Sequence, residues 1–278
     1  MLWSTLNATA QSILLNFQEL IFECVQKTSP DKNYYAEKQG DDFHYLTQIL
    51  FPLMNGIISF DSDPQLIDAK CELLKNQFKE KSYPLTWFWP HDIDLPQPVE
   101  SIFAKQDFYP MGKYTSVAVE AKKVRNLSIK LNKEAATINL VEKEEQFEDF
   151  MQITKDVYGM PSDSLSAMTR LYSAYLFSDK IKLYLAEVES KPVATLLGFH
   201  DNDTLGLYNG ATLEAYRKQG LLTALMINAV KDAPTANYVV AQLMAAQNAR
   251  GICDKLGFKE YAHFIPLCHG FDLNAISA

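Results

Sequence analysis

The residues most suited to chemistry are Arg217-Lys218-Gln219-Gly220-Leu221-Leu222-Thr223, two cations and a glycine placed directly ahead of an apolar run. Leu222, Leu225, Met226, Ala229 and Val230 recur at three- and four-residue spacings, which predicts a helix over 221–230. The alternating stretch 204–212 before the turn predicts a strand. A basic, glycine-containing turn between a strand and a helix is suited to hold an anion. The first N–H groups of a helix have no internal partners, and the helix dipole adds positive potential there. Gly220 lets a ligand approach the backbone closely, Thr223 can add a hydroxyl donor, and phosphate is the anion that fits best. Taken alone, the same residues would also serve as a surface turn feeding an ordinary helix.

The elements around this turn follow from periodicity. Leu6, Ala10, Ile13, Leu14, Phe17, Leu20, Ile21 and Cys24 define one face of a helix over 4–26. Strands are predicted over 43–50, 56–60 and 85–89, a helix opens at Asp63-Pro64, and a short helix covers 99–106. Residues 107–120 read as a hairpin-like pair of strands around Pro110-Met111-Gly112. The polar stretch 120–134 breaks the hydrophobic pattern and reads as a linker, dividing the chain into units 1–133 and 134–278. Beyond it come a strand over 137–141, helices over 146–158 and 165–177, and strands over 182–189, 192–200 and 204–212. The turn and its helix follow, then a strand over 238–244, a helix over 249–256 and terminal strands over 259–268. Both halves end as strand, short helix and aromatic strands, which suggests an internal repeat.

Composition narrows the class of function. The chain has 278 residues and is 47% hydrophobic, enough for a large core. Its formal net charge of −8, with no Lys/Arg run, argues against nucleic acid or an anionic membrane as partner and favours an amine-bearing one. No apolar stretch reaches the roughly 18 residues of a membrane span, and the N-terminus lacks the basic flank of a signal peptide, so a cytoplasmic protein is expected. Cys24, Cys71, Cys253 and Cys268 are widely spaced, and the histidines show no ligand spacing, so reduced thiols and no metal are expected.

The order of elements, with Arg217-x-x-Gly220-x-Leu222 and Leu256-Gly257-Phe258-Lys259, resembles the GCN5-related N-acetyltransferase (GNAT) superfamily over residues 135–268. The resemblance implies an α/β (α+β) fold: a mixed, mostly antiparallel sheet flanked by helices, here in two lobes. It implies that Arg217, Lys218, Gln219, Gly220, Leu221, Leu222 and Thr223 cradle the pyrophosphate of acetyl-coenzyme A. It further implies that the backbone of Ala211 and Thr212 pairs with the pantetheine arm, and that the acetyl group passes to a primary amine of an acceptor. A non-catalytic acyl-coenzyme A binding or protein-interaction module is the alternative. The first half resembles a degenerate copy of the same fold. Its Asp61-Ser62-Asp63, acidic and without glycine, would repel a pyrophosphate, so one cofactor site is expected, in the second half.

Two positions depart from the family pattern. Leu222 stands where glycine or alanine is usual. Cys253 stands where many members carry the tyrosine that protonates the departing thiolate, and Ala246 replaces a frequent asparagine. Cys253 therefore reads either as a catalytic acid or as a small buried hydrophobe. Trp87, Phe88 and Trp89 read either as strand core or as the lining of an acceptor cleft. Glu187 and Glu189, two apart on one strand face, read as solvated charge or as a general base acting through water. The sequence leaves the acceptor and the oligomeric state open.

Overall fold

The computed structural model describes residues 8–40, 42–59, 63–78, 83–90, 99–112, 114–128, 136–244 and 247–271. The first half contains α1 (Ala8–Lys27), β1 (Tyr35–Gln39), β2 (Asp42–Leu46), β3 (Asn55–Ile58), α2 (Pro64–Phe78), β4 (Leu85–Pro90) and α3 (Val99–Ala104). It continues with β5 (Tyr109–Pro110), β6 (Tyr114–Glu120) and α4 (Ala121–Arg125). The second half runs through β7 (Ala136–Leu140), α5 (Glu144–Tyr158), α6 (Ser164–Tyr172), β8 (Ile181–Val188), β9 (Lys191–Asp201) and β10 (Thr204–Thr212). It closes with α7 (Leu221–Asp232), β11 (Tyr238–Met244), α8 (Gln247–Lys255) and β12 (Lys259–His269).

One sheet runs through the whole molecule in the order β1-β2-β3-β4-β12-β6-β11-β10-β9-β8-β7, with β5 attached to β12. Among the described residues, only the pairs β3–β4 and β10–β11 are parallel; the others are antiparallel. The fold is thus mixed α/β with a mostly antiparallel sheet. Read outward from the β12–β6 junction, the two sides match. Each has an antiparallel neighbour, then a parallel pair bridged by a helix, α2 on one side and α7 on the other.

The last strand of each half lies on the other half's side of that junction. β6 pairs with β11 from Tyr114↔Met244 to Glu120↔Tyr238, and β12 pairs with β4 from His269↔Leu85 to Phe264↔Pro90. The hairpin expected over 107–120 is therefore not formed: β5 and β6 both bond to β12, and not to each other. Local alternation reveals strands, but it does not reveal partners more than a hundred residues away.

Part of the expected linker is helix. In α4, Ala121 and Val124 are buried, and the Arg125 guanidinium donates to the carbonyls of Ala233 and Ala236 at the end of α7. The expected unit boundary at 133/134 lies outside the described residues. Glu189 is also not in a strand; with Ser190 it makes the left-handed β8–β9 turn, at φ 53° and 63°.

Among the described residues, four buried clusters fill the faces of the sheet. α1 lies across one face, burying Ile13, Phe17, Leu20, Ile21, Cys24 and Val25 at helical spacing. On the same face α5 buries Phe147, Phe150, Met151 and Ile153. On the opposite face α7 packs Leu225, Met226, Ala229 and Val230 with Val117, Val119, Val239, Leu205 and Leu207. Trp87 and Trp89 form the first half's own core with Phe103, at ring separations of 5.0 and 5.9 Å, and Phe88 packs on Phe17 at 5.8 Å. These aromatics are core. Among the described residues, no helix is long and apolar enough to cross a membrane, and no three His, Cys, Asp or Glu residues group to hold a metal.

All four cysteines are free and buried. Burial pushes the thiols of Cys71, Cys253 and Cys268 up from near 9 to about 12. An acid raised in the folded state binds its proton more tightly there than in the unfolded chain. The resulting stability is intact below about pH 9 and falls as the pH rises toward 12. Denaturant midpoints are therefore expected to be flat up to about pH 8.5 and to fall above it; a midpoint that holds to pH 10.5 would contradict this burial.

Candidate functional site

β10 and β11 pair only from Thr204↔Tyr238 to Leu207↔Ala241. Beyond that point they part, while β10 continues against β9 as far as Thr212 and β11 continues against β6 as far as Met244. The facing edges of residues 208–212 and 242–244 are left without a strand partner, and a wedge opens through the sheet. An irregularity in the β9–β10 register between Tyr208 and Ala211 accompanies the divergence, with Asn209 in the left-handed region at φ 50°.

The predicted turn sits at the open end of this wedge. A short 3-10 turn (Glu214–Tyr216) follows β10, and the backbone is left-handed at Lys218, φ 62°, and again at Gly220, φ 84°. Alternating hands turn successive N–H groups toward one side, the geometry of an anion nest. Ala224 N–H, donating to the Gly220 carbonyl, makes the first bond of α7, so the N–H groups of Leu221, Leu222 and Thr223 precede the helical ladder. Arg217 bonds back through Nε to the Thr212 carbonyl at 3.2 Å, which ties the turn to the strand end. The Lys218 side chain is exposed.

Leu222 has a structural reason to be large. A Cβ built on Gly210 would lie 3.1 Å from Leu222 Cδ1, so the leucine fills space that a side chain at 210 would otherwise take. Its backbone keeps its place in the first turn of α7.

The Asp63 carboxylate accepts the N–H of Gln65 at 2.9 Å and so caps the N-terminus of α2. Residues 61 and 62 lie outside the described residues, as does Ala246.

Cys253 lies 3% exposed in α8, in the same apolar cluster as Val119, Leu256 and Phe258. Burial pushes its thiol up to about 12, which keeps it protonated and makes it a poor proton donor. Glu187 is half-buried in β8, two strands from the wedge.

On the α1 face of the wedge, opposite the helix that follows the cradle, the structure gathers a tyrosine group that spacing in the sequence did not mark. Tyr158 is the last residue of α5, which stops at Gly159 in the left-handed region with Met160 N–H donating to the Lys155 carbonyl. That stop aims its hydroxyl at the irregularity, where it donates to the Gly210 carbonyl at 3.2 Å. Burial of that hydroxyl pushes it up to about 12, although the residue as a whole is 36% exposed. The Tyr172 hydroxyl lies beside the Asn209 side chain, whose Nδ2 is buried without a partner among the described residues. Tyr208 donates to Asn16 Oδ1 on α1 at 2.7 Å. A Leu50 N–H bond to Ser164 Oγ at 3.1 Å and an edge contact of Phe51 with Tyr158 at 6.3 Å join the first half to this group. The one local signal for it was Tyr158-Gly159, a helix ending on an aromatic.

Chemically, the arrangement offers an anion cradle on one side, a gap between two strands, and a group of neutral polar side chains on the other side. Residues 120–249 match the family model of an acetyltransferase (GNAT) domain. No curated protein matches the chain in sequence. Among solved structures, a functionally unknown conserved protein from Staphylococcus epidermidis ATCC 12228 is 18% identical, with a TM-score of 0.69 over 85% of this chain and 93% of that one. A GCN5-related N-acetyltransferase from Kribbella flavida is 15% identical, with a TM-score of 0.65 over 94% of this chain and 96% of that one. A tandem GNAT protein from the clavulanic acid biosynthesis pathway is 8% identical, with a TM-score of 0.55 over 96% and 97% of the two chains. Residues 120–249 are therefore the part of the chain that matches a GNAT domain, and the chain shares its fold with solved proteins named as GCN5-related N-acetyltransferases.

Proposed function

We propose that the protein transfers the acetyl group of acetyl-coenzyme A to a primary amine by direct attack. The observation that carries this reading is the wedge between β10 and β11 with the basic nest at its mouth. Residues Lys218 to Thr223 would hold the pyrophosphate through their backbone N–H groups, with Arg217 and Lys218 supplying positive charge. Each charge-assisted bond contributes about 1.5–3 kcal/mol, so a few of them support roughly micromolar binding, about −8 kcal/mol, after association costs. The edge groups of Ala211 and Thr212 would pair with the pantetheine amides.

The neutral amine nitrogen attacks the thioester carbonyl carbon. The carbonyl electrons move to oxygen, and backbone N–H groups at the strand end stabilise that charge. As the tetrahedral intermediate collapses, the C–S bond breaks and the thiolate takes a proton. The nitrogen gives up its own proton to solvent. Cys253, held in the core with its thiol near 12, is a weak candidate for the proton donor. This favours an acid elsewhere, or release of the thiolate to solvent.

The buried Cys253 also motivates a second reading, a non-catalytic acyl-coenzyme A binding module. Incubating the protein with acetyl-coenzyme A and a broad panel of amines, while following free thiol, separates the two. Thiol release above hydrolysis with any amine supports the enzyme. Tight calorimetric binding of coenzyme A with no release on any amine supports the module. Expected partners are acetyl-coenzyme A and the amine, without nucleic acid or membrane, and the expected compartment is the cytoplasm.

A further inference from the structure

Tyr114 begins β6, the strand that the first half places beside β11, and in register it stands opposite Met244, the last residue of β11. It therefore stands one strand behind the β11 edge of the wedge, near enough for Tyr158 to act on it electrostatically, while Tyr158 and Asn209 stand at the β10 edge. The residue is 6% exposed and belongs to the α1-face cluster that also holds Ala211 and Tyr172, yet its hydroxyl has no hydrogen-bond partner among the described residues. A buried hydroxyl without a partner costs about 1–3 kcal/mol. A phenylalanine would avoid that cost, so a ligand that accepts the bond would account for the hydroxyl.

The chemistry of the pocket restricts that ligand. The hydroxyls of Tyr114, Tyr158, Tyr172 and Tyr208 are all raised above their ordinary value, chiefly by burial. Their other influences are neighbouring thiols, tyrosines and Asn209; no Asp, Glu, Lys or Arg among the described residues acts on any of them. All four stay protonated and neutral at ordinary pH; Tyr158 and Tyr208 already donate within the protein, so the Tyr114 hydroxyl, Asn209 Nδ2 and Asn16 Nδ2 are the donors left without a partner among the described residues. A carboxylate or a second ammonium on the acceptor would be buried there without a counter-charge, which is costly. An apolar setting also favours the unprotonated amine that the attack requires.

We propose that Tyr114, on the strand the first half lends to the second, helps determine acceptor specificity, its hydroxyl donating to a hydroxyl or carbonyl oxygen of an amine whose body is uncharged. This rests on the acetyl-transfer reading above.

The test compares glucosamine and serinamide, which carry such oxygens, with β-alanine, putrescine and cyclohexylamine as acceptors, and then examines Tyr114→Phe. The wild type is expected to prefer glucosamine or serinamide. Tyr114→Phe is expected to raise the KM of the preferred amine about tenfold, the value of one hydrogen bond, and to leave the KM of acetyl-coenzyme A and of cyclohexylamine within twofold. Its melting temperature should not fall, because no internal bond is lost. A purely structural tyrosine would move stability and leave the KM ratio alone. Preference for β-alanine or putrescine, turnover of none of the five, or an unchanged KM ratio overturns the inference. If the phenylalanine variant fails to fold, the same ratio is read from Tyr114→Leu, with the same outcomes. Calorimetry of wild-type protein with coenzyme A keeps the two claims apart. No binding there removes the acetyl-transfer reading, whereas binding with an unchanged KM ratio removes only the role of Tyr114.

Discussion

Gly220→Glu is expected to weaken coenzyme A binding at least 100-fold, about 2.7 kcal/mol, in a calorimetric titration. Two costs act together. The residue sits at φ 84° at the N-cap of α7, where a side chain costs about 1–2 kcal/mol in backbone strain. The new carboxylate would then compete with the pyrophosphate for the N–H groups that precede Ala224. Gly220→Ala carries the first cost without the second and should fall between wild type and the glutamate variant. Both should keep the sheet intact, since the turn lies outside it, and near-native circular dichroism would confirm that. A dissociation constant for Gly220→Glu within threefold of wild type would show that the nest does not hold the phosphates.

Cutting the chain at 133/134 is expected to yield a second half that does not fold. Residues 134–278 alone lack β6, so β11 loses all seven of its partners from Tyr114 to Glu120, and β12 loses its neighbour as well. The missing strand also takes buried Tyr114, Val117, Ala118 and Val119 out of the core. At about 1.5–3 kcal/mol for each large side chain, together with the ladder bonds, this rivals the roughly 5–15 kcal/mol that holds a typical domain together. Two exposed central strands would also invite aggregation. Expression of 134–278 should give insoluble or unfolded protein, whereas 1–278 should melt in one transition. A soluble 134–278 piece with native-like circular dichroism and a cooperative melt would contradict the role assigned to β6.

The parts of this fold legible in the sequence are those set by local pattern. β10 and β11 fall at 204–212 and 238–244, where alternation placed them, and α7 starts at Leu221, where the glycine and the apolar spacing placed it. The turn ahead of α7 was legible for the same reason: it is a run of consecutive residues. What escaped is long-range. Alternation in 114–120 announces a strand, but the same pattern would suit pairing with β5 as well as with β11 and β12. The polar helix α4 looked like a linker because only Ala121 and Val124 face inward, too few to show a period. β1 was missed because one of its five residues is buried.

The pocket illustrates the same division. Tyr114, Tyr158 and Asn209 come from a strand, a helix end and a strand irregularity, so no spacing in the chain links them; only the fold brings them together. Cys253 is the converse. Alignment to a family pattern suggested a chemical role for it, whereas burial determines how its thiol behaves.

The crossing of β6 and β12 has a consequence for the history of the chain. The first half caps the N-terminus of α2 with its own Asp63 carboxylate. Its sequence could drift, yet it could not be discarded, because deleting it would remove a central strand from the half that carries the wedge. Exchange of terminal strands acts as a ratchet. Two halves that exchange terminal strands in this way can diverge in sequence, but neither can stand as a single unit without first inventing a replacement strand.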